Sequence, residues 1–352
     1  MFAAARLVAM LGALALAWPA PALADEINVY DHIAATDLDP ALADLRPLVY
    51  VPNEHGASLT VIDATTMTVI KTIGVGSYPH HVTPAWDMRS LFVNNMNSGS
   101  LTVIDPWSVR KVGLRRVRAP YNLYFTPDGS TAIDIAEPLD RIVFYERATW
   151  TKLGRVLIPS RGVDHVDFSA DGDYFLASTE YGGWIYKISV AARQIVGALK
   201  VGGKPVDVKL SADGAVFYVA NQGRNGVSVI DPTSMTEVAF LATGAGAHGM
   251  AVSRDGTQLY VSNRRAGTIS VIDFATRAVV ATWNVGRSPD MLNVSIDGAQ
   301  LWVSNRWHDS VSVIDTSDGQ VIRRIRVGDA PHGLTYFPQP GRFSIGHNGV
   351  YR

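Results

Sequence analysis

Cysteine is absent from the 352 residues. That excludes disulfides, thiolate metal sites, iron–sulfur clusters, covalent c-type haem attachment and cysteine nucleophiles. Core burial alone must hold the chain together. Charge is also scarce, with 18% charged residues and a net charge of −1. A general electrostatic affinity for nucleic acid or anionic membrane is therefore not expected. Long apolar runs are missing too. The run Leu7–Trp18 has 12 residues and is followed by Pro19 and Pro21, whereas a membrane span needs ~20. Arg6 precedes it and Ala22-Leu23-Ala24 follows, the pattern of a secretory signal peptide cleaved after Ala24. The mature chain is thus expected in the periplasm or secreted, with no membrane span.

Helical periodicity is the last thing missing, and a repeat stands in its place. The phrase "YVxN, short polar loop, xxVID" recurs as YVPNEHGASLTVID from Tyr50, FVNNMNSGSLTVID from Phe92, YVANQGRNGVSVID from Tyr218, YVSNRRAGTISVID from Tyr260 and WVSNRWHDSVSVID from Trp302. Degenerate copies start at Ile133 and Phe175, so successive starts lie 42, 41, 42, 43, 42 and 42 residues apart. Each unit reads as four short β-runs separated by Asp-Gly or Asn-rich turns. Four antiparallel strands per ~40–50 residues make a propeller blade. The fold class is therefore all-β, a seven-bladed β-propeller. The N-terminal unit lacks an innermost strand, and Pro331–Phe337 supplies one without successors, so the C-terminal strand should complete the first blade. The expected organisation is a signal peptide at 1–24, an extension at 25–47, the propeller at 48–337 and a tail at 338–352.

These phrases, with xVGxxPxG and SxDG between them, resemble the YVTN-type β-propeller repeat of exported bacterial and archaeal proteins over roughly residues 48–337. The resemblance implies the fold and leaves the activity open. Such propellers include surface-layer modules, proteins accompanying quinone-dependent alcohol oxidation, and the haem domain of cytochrome-type nitrite reductases. That haem domain has eight blades against the seven counted here, which weakens a haem reading. A shared propeller does not choose among these functions.

Strand alternation sorts the loops onto two faces. The crossovers between blades and the loops after YVxN share face one, while the SxDG and VID turns share face two. The Asp and Gly of face two are turn formers. Both chain ends should emerge there, so His347 is expected to stand apart from the crossover histidines unless the tail wraps round.

Face one carries the unusual side chains. The crossover position after the proline holds His80, Tyr121, Asp164, Val206, His248, Asp290 and His332 in turn. The next position holds His81, Asn122, His165, Asp207, Gly249, Met291 and Gly333. Numbered by inner strand, His248, Asp290, His332 and His80 fall on blades six, seven, one and two, consecutive round the ring. Several imidazoles with a carboxylate suit a divalent transition metal, with His81 a further candidate. The other reading is that Pro-His-Gly is a common filling of this repeat loop. Arg306, Trp307, His308, Arg264, Arg265, Tyr121, Asp164 and His165 are the candidate contacts for a small ligand or protein partner, because Arg and exposed aromatics dominate binding surfaces.

No G-x-S-x-G elbow, H-E-x-x-H or phosphate-binding glycine loop is present. The leading expectation is a non-catalytic exported propeller, monomeric, binding a ligand or partner on face one. The alternative is a metal- or cofactor-dependent enzyme or carrier built on the His/Asp cluster.

Overall fold

The computed structural model describes residues 28–347 and Arg352. The signal-peptide segment lies outside the described residues. Seven four-stranded antiparallel sheets form the ring. The first blade pairs Thr335–Phe337 with Leu48–Asn53, then Ser58–Asp63 and Thr68–Gly74. The C-terminal strand thus closes the ring as its repeat phase implied, through Leu48 opposite Phe337 and Tyr50 opposite Thr335. Blade two begins at Pro79–Pro84, blade four at Val163–Phe168, blade six at Ala247–Val252 and blade seven at Pro289–Val294.

Burial falls from the axis outwards. The inner strand Pro79–Pro84 is buried at every residue, while the outer strand Gln194–Lys200 alternates exposed and half-buried positions. Blades pack face to face through the second and third strands. At the closing seam, Val49, Val51 and Ile62 meet Trp302, Val311 and Val313 in one apolar cluster.

The repeat phrase has a local physical reason. In four of the five YVxN copies the Asn side chain reaches across its hairpin, whereas Asn221 bonds the Gly202 carbonyl instead. Asn53 Nδ2 donates to Thr60 Oγ1 at 2.9 Å, Asn95 to Thr102 at 2.9 Å, Asn263 to Ser270 at 3.0 Å and Asn305 to Ser312 at 2.9 Å. The Asn and the hydroxyl two residues before the VID isoleucine are one clamp. The VID aspartates accept backbone N–H bonds in the following turn, as Asp63 does from Thr65 and Thr66.

One inner position breaks the pattern. Asp134, on Thr131–Ala136, is fully buried, and neither carboxylate oxygen has a hydrogen-bond partner among the described residues. Burial pushes its pKa well above the ordinary 3.8, against a partial pull from Arg141. A raised native pKa means that the folded state holds a proton that the unfolded state loses, so stability falls as pH rises from 3.8 through the native value. Asp134→Asn is expected to stabilise the protein by about 1–3 kcal/mol at neutral pH. Denaturant midpoints should show a larger gain at about pH 8 than at about pH 5. An equal gain at both would rule out ionisation as the cause.

Candidate functional site

Two successive residues of a regular strand point to opposite sides. The inner strands depart from this at their face-one ends. Ladder pairing shifts between Pro79 and Val82, Val163 and Val166, Pro205 and Val208, Ala247 and Met250, and Pro289 and Leu292. Such irregularities re-aim side chains. Both residues of the His80-His81 pair consequently reach the channel. The ring of His332 lies 4.2 Å from that of His80 and 4.7 Å from that of His81, centroid to centroid.

The histidines form a continuous cluster down the axis. His81 meets His165 at 5.1 Å and His347 at 3.8 Å, and His165 meets His347 at 5.3 Å. Tyr121 packs on His80 at 4.3 Å. All five imidazoles are buried, with exposures between 0% and 5%. Two triads bring one ligand atom from each residue within 4.8 Å of one another: His80, His81 and His332, and His81, His165 and His347. His81, the further candidate, is the member common to both.

The expectation for His347 is corrected here. The tail does leave the last strand at face two, but it then climbs the central channel. Ser344 Oγ donates to the Pro84 carbonyl at 3.1 Å, the Phe125 N–H donates to the Ile345 carbonyl at 3.0 Å, and Gly346 bridges to Tyr124. His347 therefore enters the cluster from below. Close packing forces two glycines. A Cβ on Gly346, which has φ +149°, would lie 2.3 Å from the Tyr124 ring, and a Cβ on Gly333 would lie 1.9 Å from His81 Nδ1.

Three imidazoles are each held by a carboxylate at one nitrogen and have the other nitrogen free. His332 Nδ1 bonds Asp290 Oδ2 at 2.7 Å. His80 Nε2 lies 2.8 Å from Glu54 Oε1, and His165 Nδ1 lies 2.5 Å from Asp164 Oδ1. The latter two are close contacts rather than aligned hydrogen bonds. The opposite atoms, His332 Nε2, His80 Nδ1 and His165 Nε2, have no partner among the described residues. Neither ring nitrogen of His81 or of His347 has one either.

His248 and Asp290 have a different place from the rest of the expected arc. His248 Nδ1 lies 2.9 Å from Asp290 Oδ1, and its Nε2 is taken by Arg264. Asp290 receives Arg264 Nε at 2.9 Å as well as His332. His248 Nε2 and both oxygens of Asp290 are engaged, and His248 Nδ1 lies against Asp290 Oδ1 as a close contact, so these two residues surround the cluster.

Burial sets the protonation states. It drives His81, His332 and His347 well below the ordinary 6.5, with neighbouring imidazoles adding to the effect and Asp290 opposing it at His332. His165 is raised, because Asp164 outweighs burial. Burial alone would raise the carboxylates. His80 holds Glu54 at about 2 against it, His165 holds Asp164 at about 2, and Arg264 with His248 holds Asp290 well below its range. His81, His332 and His347 are neutral imidazoles beside the ionised carboxylates Glu54, Asp164 and Asp290.

The other expected contacts roof this jacket or lie beside it. Arg306 Nη2 donates to Glu54 at 2.6 Å, and Arg264 is buried against Asp290. Trp307 is 57% exposed, with the Arg264 guanidinium 5.5 Å from its ring. Arg265 bonds Asn225 at 2.8 Å. His308 contacts Ser288 Oγ at 3.0 Å and helps line a cleft of about 350 Å³ with Arg287, Arg324 and Arg326. Sequence reasoning missed His347 and the pairing of Glu54 with His80.

Fold and site together define an all-β seven-bladed propeller with a plugged, histidine-filled channel. The chain belongs to the YNCE-like β-propeller family, whose profile matches residues 4–340. No curated protein sequence matches it. Among solved structures it is similar to hydrazine synthase from Kuenenia stuttgartiensis, at 22% identity and a TM-score of 0.67, covering 79% of this chain and 98% of that one. A protein of unknown function from Desulfotomaculum acetoxidans matches at 18% identity and 0.72, covering 82% and 98%. Dihydro-haem d1 dehydrogenase NirN matches at 16% and 0.65, covering 90% and 83%. At these identities the likeness shows the fold alone.

Proposed function

We propose that this propeller is a metal-binding protein that holds a divalent transition-metal ion on His80, His81 and His332 in its channel. One observation carries the reading. Glu54 and Asp290 stand at one nitrogen of His80 and His332, the opposite nitrogens are bare, and His80, His81 and His332 bring one ring nitrogen each within 4.8 Å of one another. Metal-ligating histidines are held in this way by outer carboxylates, which fix the ring and raise its basicity. The energetics agree. Seven imidazole nitrogens of the five clustered histidines have no partner and no carboxylate beside them, and each such buried polar atom costs about 1–3 kcal/mol. Folded domains have only ~5–15 kcal/mol of net stability, so a ligand that satisfies several of these atoms at once is favoured. Burial holds His81 and His332 neutral, the protonation state that binds metal. An all-nitrogen donor set suits zinc, copper, nickel or iron.

Exposures of 5% or less at the ligands favour a held ion over turnover of an organic substrate, since a catalytic metal keeps an open position. The reading is therefore a binder or carrier rather than an enzyme. The N-terminal signal pattern supports export, and the repeat phrases support the YVTN type within the family. Exposed Trp307 and Tyr181 on face one favour a protein partner docking there.

Equilibrium dialysis of purified, chelator-stripped protein against zinc is expected to load at least one ion per chain. Glu54→Gln should weaken that binding about 10–100-fold, because His80 loses its charged support. Retention of fewer than about 0.1 ion per chain by the unsubstituted protein at micromolar zinc would exclude the reading.

A further inference from the structure

We infer that the C-terminal tail builds a second metal position, His81–His165–His347, with His347 as a ligand delivered up the channel from face two. This inference rests on the metal-binding reading above and adds a site to it. The course of the tail supports it. Its path is specific rather than draped: Ser344 binds the Trp86 and Pro84 carbonyls, Ile345 receives the Phe125 N–H, and Gly346 lies flat on Tyr124 where no side chain fits. That path ends with an imidazole that is 2% exposed and satisfied at neither nitrogen. A polar ring costs free energy when carried into a dry channel without a partner, and here it stops 3.8 Å from His81 and 5.3 Å from His165.

The other two ligands are prepared as well. His165 has Asp164 at Nδ1 and a bare Nε2, the same arrangement as in the first triad. His81 has both nitrogens bare, so one can serve each ion. With both positions loaded, His81 would be shared between them and would give up its ring N–H proton to solvent.

Arg352 is anchored on the blade that supplies His165. Arg352 is 5% exposed, its Nη2 lies 2.8 Å from Asp167, and it donates to the Phe168 and Ser169 carbonyls at 2.9 and 3.0 Å. These groups lie at the face-two end of the same blade that supplies His165. The tail is thus both a ligand carrier and a closure behind the ion.

Equilibrium dialysis with cobalt(II), read by metal analysis and visible absorption, tests this on the full chain. The unsubstituted protein is expected to bind two ions, and His347→Ala and His165→Ala one each. Because these two substitutions come from different elements, a shared loss of one ion is not a folding artefact of either, and thermal melts of the metal-free variants check it. Two ions retained in His347→Ala would overturn the role of the tail. One ion in the unsubstituted protein would overturn the second position while leaving the first standing. None at all would instead remove the metal-binding reading on which both rest.

Discussion

His81→Ala is expected to abolish metal binding altogether, whereas His332→Ala or His347→Ala should each leave one ion. The asymmetry follows from geometry. His81 alone belongs to both triads, and its partners come from four separate places: His80 from blade two, His332 from blade one, His165 from blade four and His347 from the tail. No other described imidazole has a free nitrogen near enough to substitute, because His248 is occupied on both sides by Asp290 and Arg264. Stability gives a second readout. Metal that binds only the folded state adds about 2.7 kcal/mol at a free concentration one hundred times its dissociation constant. The unsubstituted protein should therefore melt higher with zinc than without, and His81→Ala should melt identically in both. In the metal-free state the substitution should cost little, since it removes two unsatisfied buried atoms along with the packing of one ring. A zinc-dependent rise in the melting temperature of His81→Ala would sink the shared-ligand geometry.

Asp290→Asn is expected to be the most damaging substitution to the jacket, at about 3–5 kcal/mol, because it leaves buried positive charge without its counter-ion. Asp290 is 0% exposed and is the common partner of Arg264, His248 and His332. Arg264 is itself 7% exposed, so water cannot take over the pairing. Asparagine keeps the volume and one acceptor, so the change tests charge rather than packing. The pH dependence has a definite sign. Arg264, His248 and His332 hold the native Asp290 well below 3.8 against the effect of burial. Its contribution to stability is thus present above 3.8 and lost as pH falls through the native value. Denaturant midpoints of the metal-free proteins should differ fully at neutral pH and converge in strong acid. A cost below about 1 kcal/mol at pH 7 would mean that Arg264 finds another partner. Zinc affinity should fall as well, about 10–100-fold, through the lost hold on His332.

The two substitutions probe different layers. His81 lies where ligand atoms converge, while Asp290 acts through the rings it orients. Asp134→Asn makes the opposite case within the same fold. There a buried carboxylate with no hydrogen-bond partner among the described residues, only partly offset by Arg141, costs stability, and removing its charge should restore it.

Much of this was legible in the order of residues. A 42-residue register, turn formers at fixed offsets and an unfilled inner strand at the N-terminal unit determine seven blades and the ring closure, because each of these is a local, periodic signal. The crossover position was equally legible. Repeat phase alone put His80, His248, Asp290 and His332 round the mouth of one channel, and the structure shows them there.

Three things were decided only by the tertiary structure. Strand alternation would send His80 and His81 to opposite sides, and the pairing irregularity between Pro79 and Val82 brings both to the axis. Composition could not say which histidines keep a free nitrogen. His248 and His332 sit in the same kind of loop, yet Arg264 occupies the second nitrogen of His248 while that of His332 stays bare. His347 lies beyond the repeat, where no register predicts its place. Its position comes from the shape of a channel with room for one extended strand, a property of seven blades closed on one another and of no single blade.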